Sequence, residues 1–262
     1  MTSRFWAGAV VLVAACGGGR APADPAVAPA AGPGQLENAS PQAVNSLWSR
    51  AESAVRHGEW GDAEKLLEQV LLEFGPGDPR ITQAHYWLGE AYFARNRQLE
   101  AVREFRKASD DTPNHPVAPD ALLRVGDVYA DLWRRPELDP TYGQTALATY
   151  QELLNRYPGS NAAKRAQLQI TELNERFAYK TYRAAMYYYR LKAFDSAILY
   201  MKDLIANYPK SAVAPDALVK LVQAYRTLGY REDVQETCDY IRRFHPKARG
   251  AGEVCPTDSS GA

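Results

Sequence analysis

The sequence predicts an all-α protein built from stacked helical hairpins, on three observations. Between residues 88 and 113, Leu88-Gly89, Tyr92, Ala101, Phe105, Ala108 and Pro113 follow one another at fixed offsets. The hexapeptide Val117-Ala118-Pro119-Asp120-Ala121-Leu122 recurs unchanged as Val213-Ala214-Pro215-Asp216-Ala217-Leu218. Gly and Pro concentrate at the termini and between apolar-periodic segments, where they end helices. The offsets are those of the tetratricopeptide (TPR) unit, a helix–turn–helix that cannot bury its apolar face without neighbours. The expected fold is therefore a right-handed α-solenoid of about five TPR helical hairpins.

Each hairpin is readable in turn. The first spans about 41–76: Ser40-Pro41 caps and opens a helix carrying Leu47, Ala51 and Ala54, and Ala63, Leu67 and Val70 mark its partner. The second, 79–113, holds the clearest pattern, in which small Gly89, Ala101 and Ala108 let the helices approach while Tyr92 and Phe105 fill between them. The third, 117–158, places Ala146 twenty positions after Gly126 where the second hairpin needs twelve from Gly89 to Ala101. About eight residues are thus inserted, and the proline-bearing stretch 134–143 is their place; such insertions often serve binding. The fourth, 161–209, has no Gly or Pro across 162–191, which predicts a first helix of about thirty residues. The fifth, 213–246, repeats the pattern with Tyr225, Val234, Cys238, Ile241 and Pro246.

Outside the array the composition changes. Arg4, the apolar stretch from Phe5 and the small residues before Cys16 form a segment too short to span a bilayer. It reads as a lipoprotein signal peptide, 1–15, with Cys16 as the lipidated first residue of the mature chain. Residues 16–40 are rich in Gly, Ala and Pro and read as a flexible tether. Gly17, not being Asp, favours the outer membrane as destination. Residues 248–262 are expected to form a disordered tail.

Composition excludes several function classes. Thirty-one Lys and Arg balance 31 Asp and Glu, which gives no nucleic-acid footprint. His57, His85, His115 and His245 are scattered, the three cysteines match no zinc spacing, and no phosphate loop or nucleophile motif is present. No cofactor and no enzymatic activity are expected. Cys238 and Cys255 are candidates for a disulfide tying the tail to the last hairpin, with free thiols as the alternative.

Candidate binding residues come from the first helices of the hairpins, which line the concave face of a TPR array. Trp48, Tyr86 and Phe93 at one end, and Tyr182 and Tyr189 at the other, fall at inward positions. They form a candidate groove for an extended apolar or aromatic peptide, with core packing as the competing reading. Tyr187-Tyr188-Tyr189-Arg190 points around more than half a helix, so at least one of these tyrosines faces solvent or a partner.

The order of these features resembles the BamD family, the lipoprotein subunit of the bacterial outer-membrane β-barrel assembly machinery. The resemblance rests on the cysteine after the leader, the tether and five repeats, with Pro113-Asn114-His115-Pro116, Asp139-Pro140 and Arg156-Tyr157-Pro158-Gly159-Ser160. The long helix from Arg176-Phe177-Ala178 through Tyr187-Tyr188 adds to it. Thr181 stands where the family often has glutamate, Lys202 lies near a position that is often basic, and Phe74-Gly75-Pro76 replaces the usual Tyr-Pro-x-Ser. The resemblance implies a non-catalytic scaffold on the periplasmic face of the outer membrane. Unfolded outer-membrane proteins would meet the N-terminal groove of Trp48, Tyr86 and Phe93. POTRA domains of a BamA-like barrel subunit would dock around Tyr182, Tyr189, Arg190, Tyr200 and Lys202, and other lipoproteins of that machinery are further expected partners. Two alternatives share the repeats: a periplasmic TPR coordinator of cell-envelope constriction, and a glycan-binding TPR lipoprotein.

Overall fold

A computed structural model describes residues 40–75 and 77–255, which fall in one compact unit. Cys16, the signal segment and the tether lie outside the described residues. Ten helices pair into five antiparallel hairpins: α1 (Pro41–His57) with α2 (Trp60–Glu73), α3 (Arg80–Ala94) with α4 (Gln98–Asp110), α5 (Ala118–Leu132) with α6 (Thr141–Arg156), α7 (Asn161–Arg190) with α8 (Phe194–Asn207), and α9 (Ala214–Leu228) with α10 (Arg231–Phe244). A short α11 (Ala251–Val254) follows. Each helix packs on the next along the chain, which makes the unit an α-solenoid of TPR hairpins.

Local chemistry sets the helix ends. Ser40 accepts a hydrogen bond from the Ala43 amide at 3.3 Å with Pro41 in the first turn, and Gly58 closes α1 at φ 70°. Ser160 caps α7 in the same way, accepting from Ala163 at 3.0 Å. Small residues set the distance between paired helices. A Cβ on Gly89 would stand 2.6 Å from the Phe105 ring, and one on Gly126 2.3 Å from the Tyr150 ring. Phe105 and Tyr150 are fully buried in the space those glycines leave.

The 30-residue α7 serves two cores. Its first half buries Ala166, Ile170, Leu173 and Phe177 against Leu122, Trp133 and Tyr150 of the third hairpin. Its second half buries Ala185 against Ala197, Met201 and Tyr225. The helix thus belongs to the third hairpin as much as to the fourth. The insertion before α6 is held down as well: Lys180 Nζ donates to the carbonyls of Pro136 at 3.1 Å and Leu138 at 2.8 Å, and Arg183 pairs with Glu137 at 2.6 Å. Trp133 closes the loop from beneath, stacked on Phe177 with ring centres 4.5 Å apart.

The expected disordered tail at 248–262 needs correction for residues 248–255. Gly250 turns the chain at φ 80°, and α11 lays Val254 and Cys255 onto Leu218, Val219, Val222 and Ile241. Cys255 is bonded to Cys238. Among the described residues no sixth hairpin covers the far side of α9 and α10, and residues 250–255 supply the covering that a capping repeat would give. Residues 256–262 lie outside the described residues.

Candidate functional site

Tyr86, Glu90 and Phe93 occur at i, i+4 and i+7 on α3 and so share one face of that helix. α5 brings Arg124 against this face. Its Nε donates to Glu90 Oε1 at 2.6 Å and its Nη2 to Oε2 at 2.9 Å, while its guanidinium lies 4.7 Å from the Phe93 ring centre. The Tyr86 ring tilts against Phe105 at 5.6 Å. Burial pushes the Tyr86 phenol well above its usual range, and Glu90 adds to the effect. Burial works against the Arg124 charge, but the hydrogen bonds to Glu90 together with the charges of Glu90 and Asp127 outweigh it and hold the guanidinium above its ordinary value. The network continues through Asp127, which accepts from the Tyr150 hydroxyl at 2.8 Å.

Trp48 belongs to a neighbouring cluster. It stacks on Trp87 at 4.9 Å and tilts against Phe74 at 6.2 Å. Arg80 covers both Trp48 and Phe74, forks onto Asp78 and donates to Asn45 Oδ1 at 2.9 Å. Among the described residues no ring contact joins Trp48 to Tyr86 or Phe93. The predicted N-terminal groove is therefore two adjoining half-buried aromatic clusters, each with an arginine over its rings. Trp87 falls one position off the repeat position shared by Trp48 and Tyr86, and Arg80 and Arg124 carry no spacing that ties them to the rings they seal.

The C-terminal set also divides. Tyr182 packs on Leu204, Ala214 and Ala217. Tyr189 donates to Gln223 Oε1 at 3.1 Å, lies under Lys220 Nζ at 5.3 Å and meets Phe194 edge-on. Tyr200 is on another side, stacked on Tyr188 at 5.3 Å with an interplanar angle of 11°. Arg190 and Lys202 are exposed. Tyr187, 54% exposed, is the wet member of the tyrosine run. The Tyr188–Tyr200 stack and the Tyr189 hydroxyl bond hold two different faces of α7, because consecutive helical residues diverge by about 100°.

Among the described residues no group of His, Cys, Asp and Glu could hold a metal ion, and no helix is long and apolar enough to cross a membrane. A family model described as outer membrane lipoprotein (YfiO) matches residues 41–239, from the start of α1 to well within α10. The chain belongs to this outer membrane lipoprotein family. The family match covers the second helix pair and the α7 region alike, so both candidate faces lie inside it. Among similar proteins is the outer membrane protein assembly factor BamD of Xylella fastidiosa strain 9a5c, 28% identical over 79% of this chain and 75% of its own. The Vibrio cholerae factor of the same name is 26% identical over 74% of this chain and 84% of its own. That of Neisseria meningitidis serogroup A is 23% identical over 78% and 80%.

Proposed function

We propose that this protein is a non-catalytic scaffold of outer-membrane β-barrel assembly, anchored to the periplasmic face of the outer membrane through lipid on Cys16. The observation that carries the reading is the family match along 41–239, supported by relatives whose names are those of assembly factors. The N-terminal clusters, Trp48 with Trp87 and Tyr86 with Phe93, receive the aromatic-ended C-terminal strand of an unfolded outer-membrane protein. Rigid aromatic anchors give such contacts most of their energy at small entropic cost. The surface bearing Arg190, Tyr200 and Lys202, with Tyr182 and Tyr189 beside it, docks POTRA domains of a BamA-like subunit, and other lipoproteins of the machinery join the assembly.

Two experiments test this. Affinity purification from detergent-solubilised membranes should recover a large β-barrel protein with POTRA domains in stoichiometric yield, and its absence would sink the scaffold assignment. Trp48→Ala combined with Tyr86→Ala should weaken binding of a peptide matching an outer-membrane protein's C-terminal strand at least tenfold. Unchanged binding by a folded double variant would move the peptide site elsewhere.

A further inference from the structure

The outer seams between successive second helices differ along the array. Between α4 and α6 the seam is tied shut. Arg106 donates to both oxygens of Glu152 at 3.0 and 2.9 Å, and Arg156 reaches Asp110 at 2.7 Å and the Ser109 carbonyl at 2.9 Å. Between α8 and α10 the helices instead enclose an open groove of about 450 Å³.

Helical periodicity builds the groove. Lys202, Ile205 and Ala206 form the α8 wall at i, i+3 and i+4. Leu218, Leu221 and Tyr225 of α9 close its bottom and are themselves buried, so Ile205 of α8 with Tyr240 and Phe244 of α10 carry its apolar surface, and Asp233 and Glu236 line the α10 wall. Phe244 is 54% exposed at one end, a large apolar ring left in water. The charges are unequal: Asp233, Glu236 and Asp239 face Lys202 across the groove, with Arg243 at the Phe244 end. Asp239 is engaged by Arg242 at 2.7 Å, and Asp233 faces the buried Tyr225 phenol. Glu236 stands exposed on the wall.

We infer that this groove takes one amphipathic helix of a partner polypeptide, its apolar ridge on Ile205, Tyr240 and Phe244 and a row of Lys or Arg against Asp233 and Glu236. A helix fits because α8 and α10 stand as two ridges with a groove between them, so a third helix continues the ridge-into-groove packing of the array. The basic row follows from the carboxylates spaced three residues apart on α10, which a helix matches with cations at i, i+3 or i+4. The site is on the outer seam, apart from the N-terminal aromatic clusters, and shares Lys202 with the surface assigned above to POTRA domains. It rests on the scaffold reading only in assuming a polypeptide partner.

The test uses the full chain carrying Cys16→Ser in detergent-free buffer. The probe is a fluorescein-labelled model helix of Leu and Lys, with Leu at i, i+3, i+4 and i+7, and binding is read by anisotropy. A counterpart with Glu for every Lys should bind at least tenfold more weakly. Glu236→Lys and the groove-filling Ala206→Trp should each weaken the Lys peptide at least tenfold with far-UV circular dichroism unchanged. Glu232→Lys, beside the groove and not lining it, should change affinity less than twofold. Equal loss from Glu232→Lys and Glu236→Lys would reduce the effect to general charge and overturn the inference. Equal affinity for the two peptides would do so as well. Tenfold tighter binding after deletion of 256–262 would make the chain's own end the occupant, and loss of probe binding on self-association would make it a second copy; either result overturns the assignment. Recovery or absence of a barrel subunit from membranes leaves this outcome unaffected, so the two proposals fail separately.

Discussion

Arg124 on α5 holds Glu90 on α3 through a two-nitrogen fork, at 2.6 and 2.9 Å, while its guanidinium covers the Phe93 ring. One side chain thereby joins the second hairpin to the third and fixes an aromatic residue of the candidate peptide site. Both partners are largely shielded from water, with side-chain exposures of 19% and 24%.

Removing that fork should be costly. Arg124→Ala leaves Glu90 half-buried without its cation and should lower stability by about 1–3 kcal/mol. Arg124→Lys keeps the charge but loses the paired geometry, so it should recover only part of the loss. Urea unfolding with an unchanged slope measures both. A loss below about 0.5 kcal/mol for Arg124→Ala would mean that the pair adds nothing beyond a surface ion pair.

Gly126 is a packing requirement. Alanine should favour a helix by about 1 kcal/mol, yet its methyl would stand 2.3 Å from the buried Tyr150 ring. Gly126→Ala should therefore destabilise by about 1–3 kcal/mol through overpacking. Gly252→Ala, whose Cβ would meet nothing within 4 Å, should be near neutral. Thermal unfolding of the two variants compares them directly; equal melting temperatures would refute the packing argument.

The Cys238–Cys255 disulfide closes a separation of 17 residues and pins α11. Opening it should cost up to about 3 kcal/mol by the loop-entropy argument. Hydrogen exchange should accelerate first at 250–255, while amides in α3 and α4 stay protected. Thiol labelling in denaturant without reductant should leave both cysteines unmodified, and modification of either would contradict the pairing.

Glu104 carries a pH dependence. Its carboxyl is buried, which alone would raise its pKa, but hydrogen bonds from His85 at 2.7 Å and Lys107 at 2.9 Å more than offset this and hold it below the usual 4.5. A group whose folded value is depressed stabilises above its unfolded value, and that contribution fades as pH falls through the folded value. Stability should therefore drop more steeply below about pH 4.5 in the native chain than in Glu104→Gln. Parallel acid-unfolding profiles for the two proteins would show that Glu104 carries none of the dependence.

Much of this architecture was legible from residues alone, for particular reasons. Gly89 with Phe105, 16 positions on, and Gly126 with Tyr150, 24 on across the insertion, are small-large pairs that close helix pairing explains. The run without Gly or Pro across 162–191 announced the long α7. The binding faces were harder to read. Tyr86 and Phe93 were visible as a stripe, but Arg124, 38 positions beyond Tyr86, had no sequence signal connecting it to them. Trp48 fell at the same repeat position as Tyr86 yet turned to Trp87 and Phe74. The end of the array was misread because 248–255 is rich in Gly and charge, and its role comes from the apolar surface waiting on α9.

What the sequence determined by itself was what depends on near neighbours from α1 to α10: the helices, the small residues that pair them and the repeat that stacks the pairs. Those depend on backbone hydrogen bonding and on side chains three or four residues apart, which the order of residues encodes directly. Tertiary structure alone decided which arginine seals which aromatic ring, which seam is tied shut and which stands open, and how the last residues cover the final hairpin. Such contacts reach far along the chain, as from Arg80 to Asn45, 35 positions away, and from Arg156 to Ser109, 47 positions away, and their partners are set by how the hairpins stack.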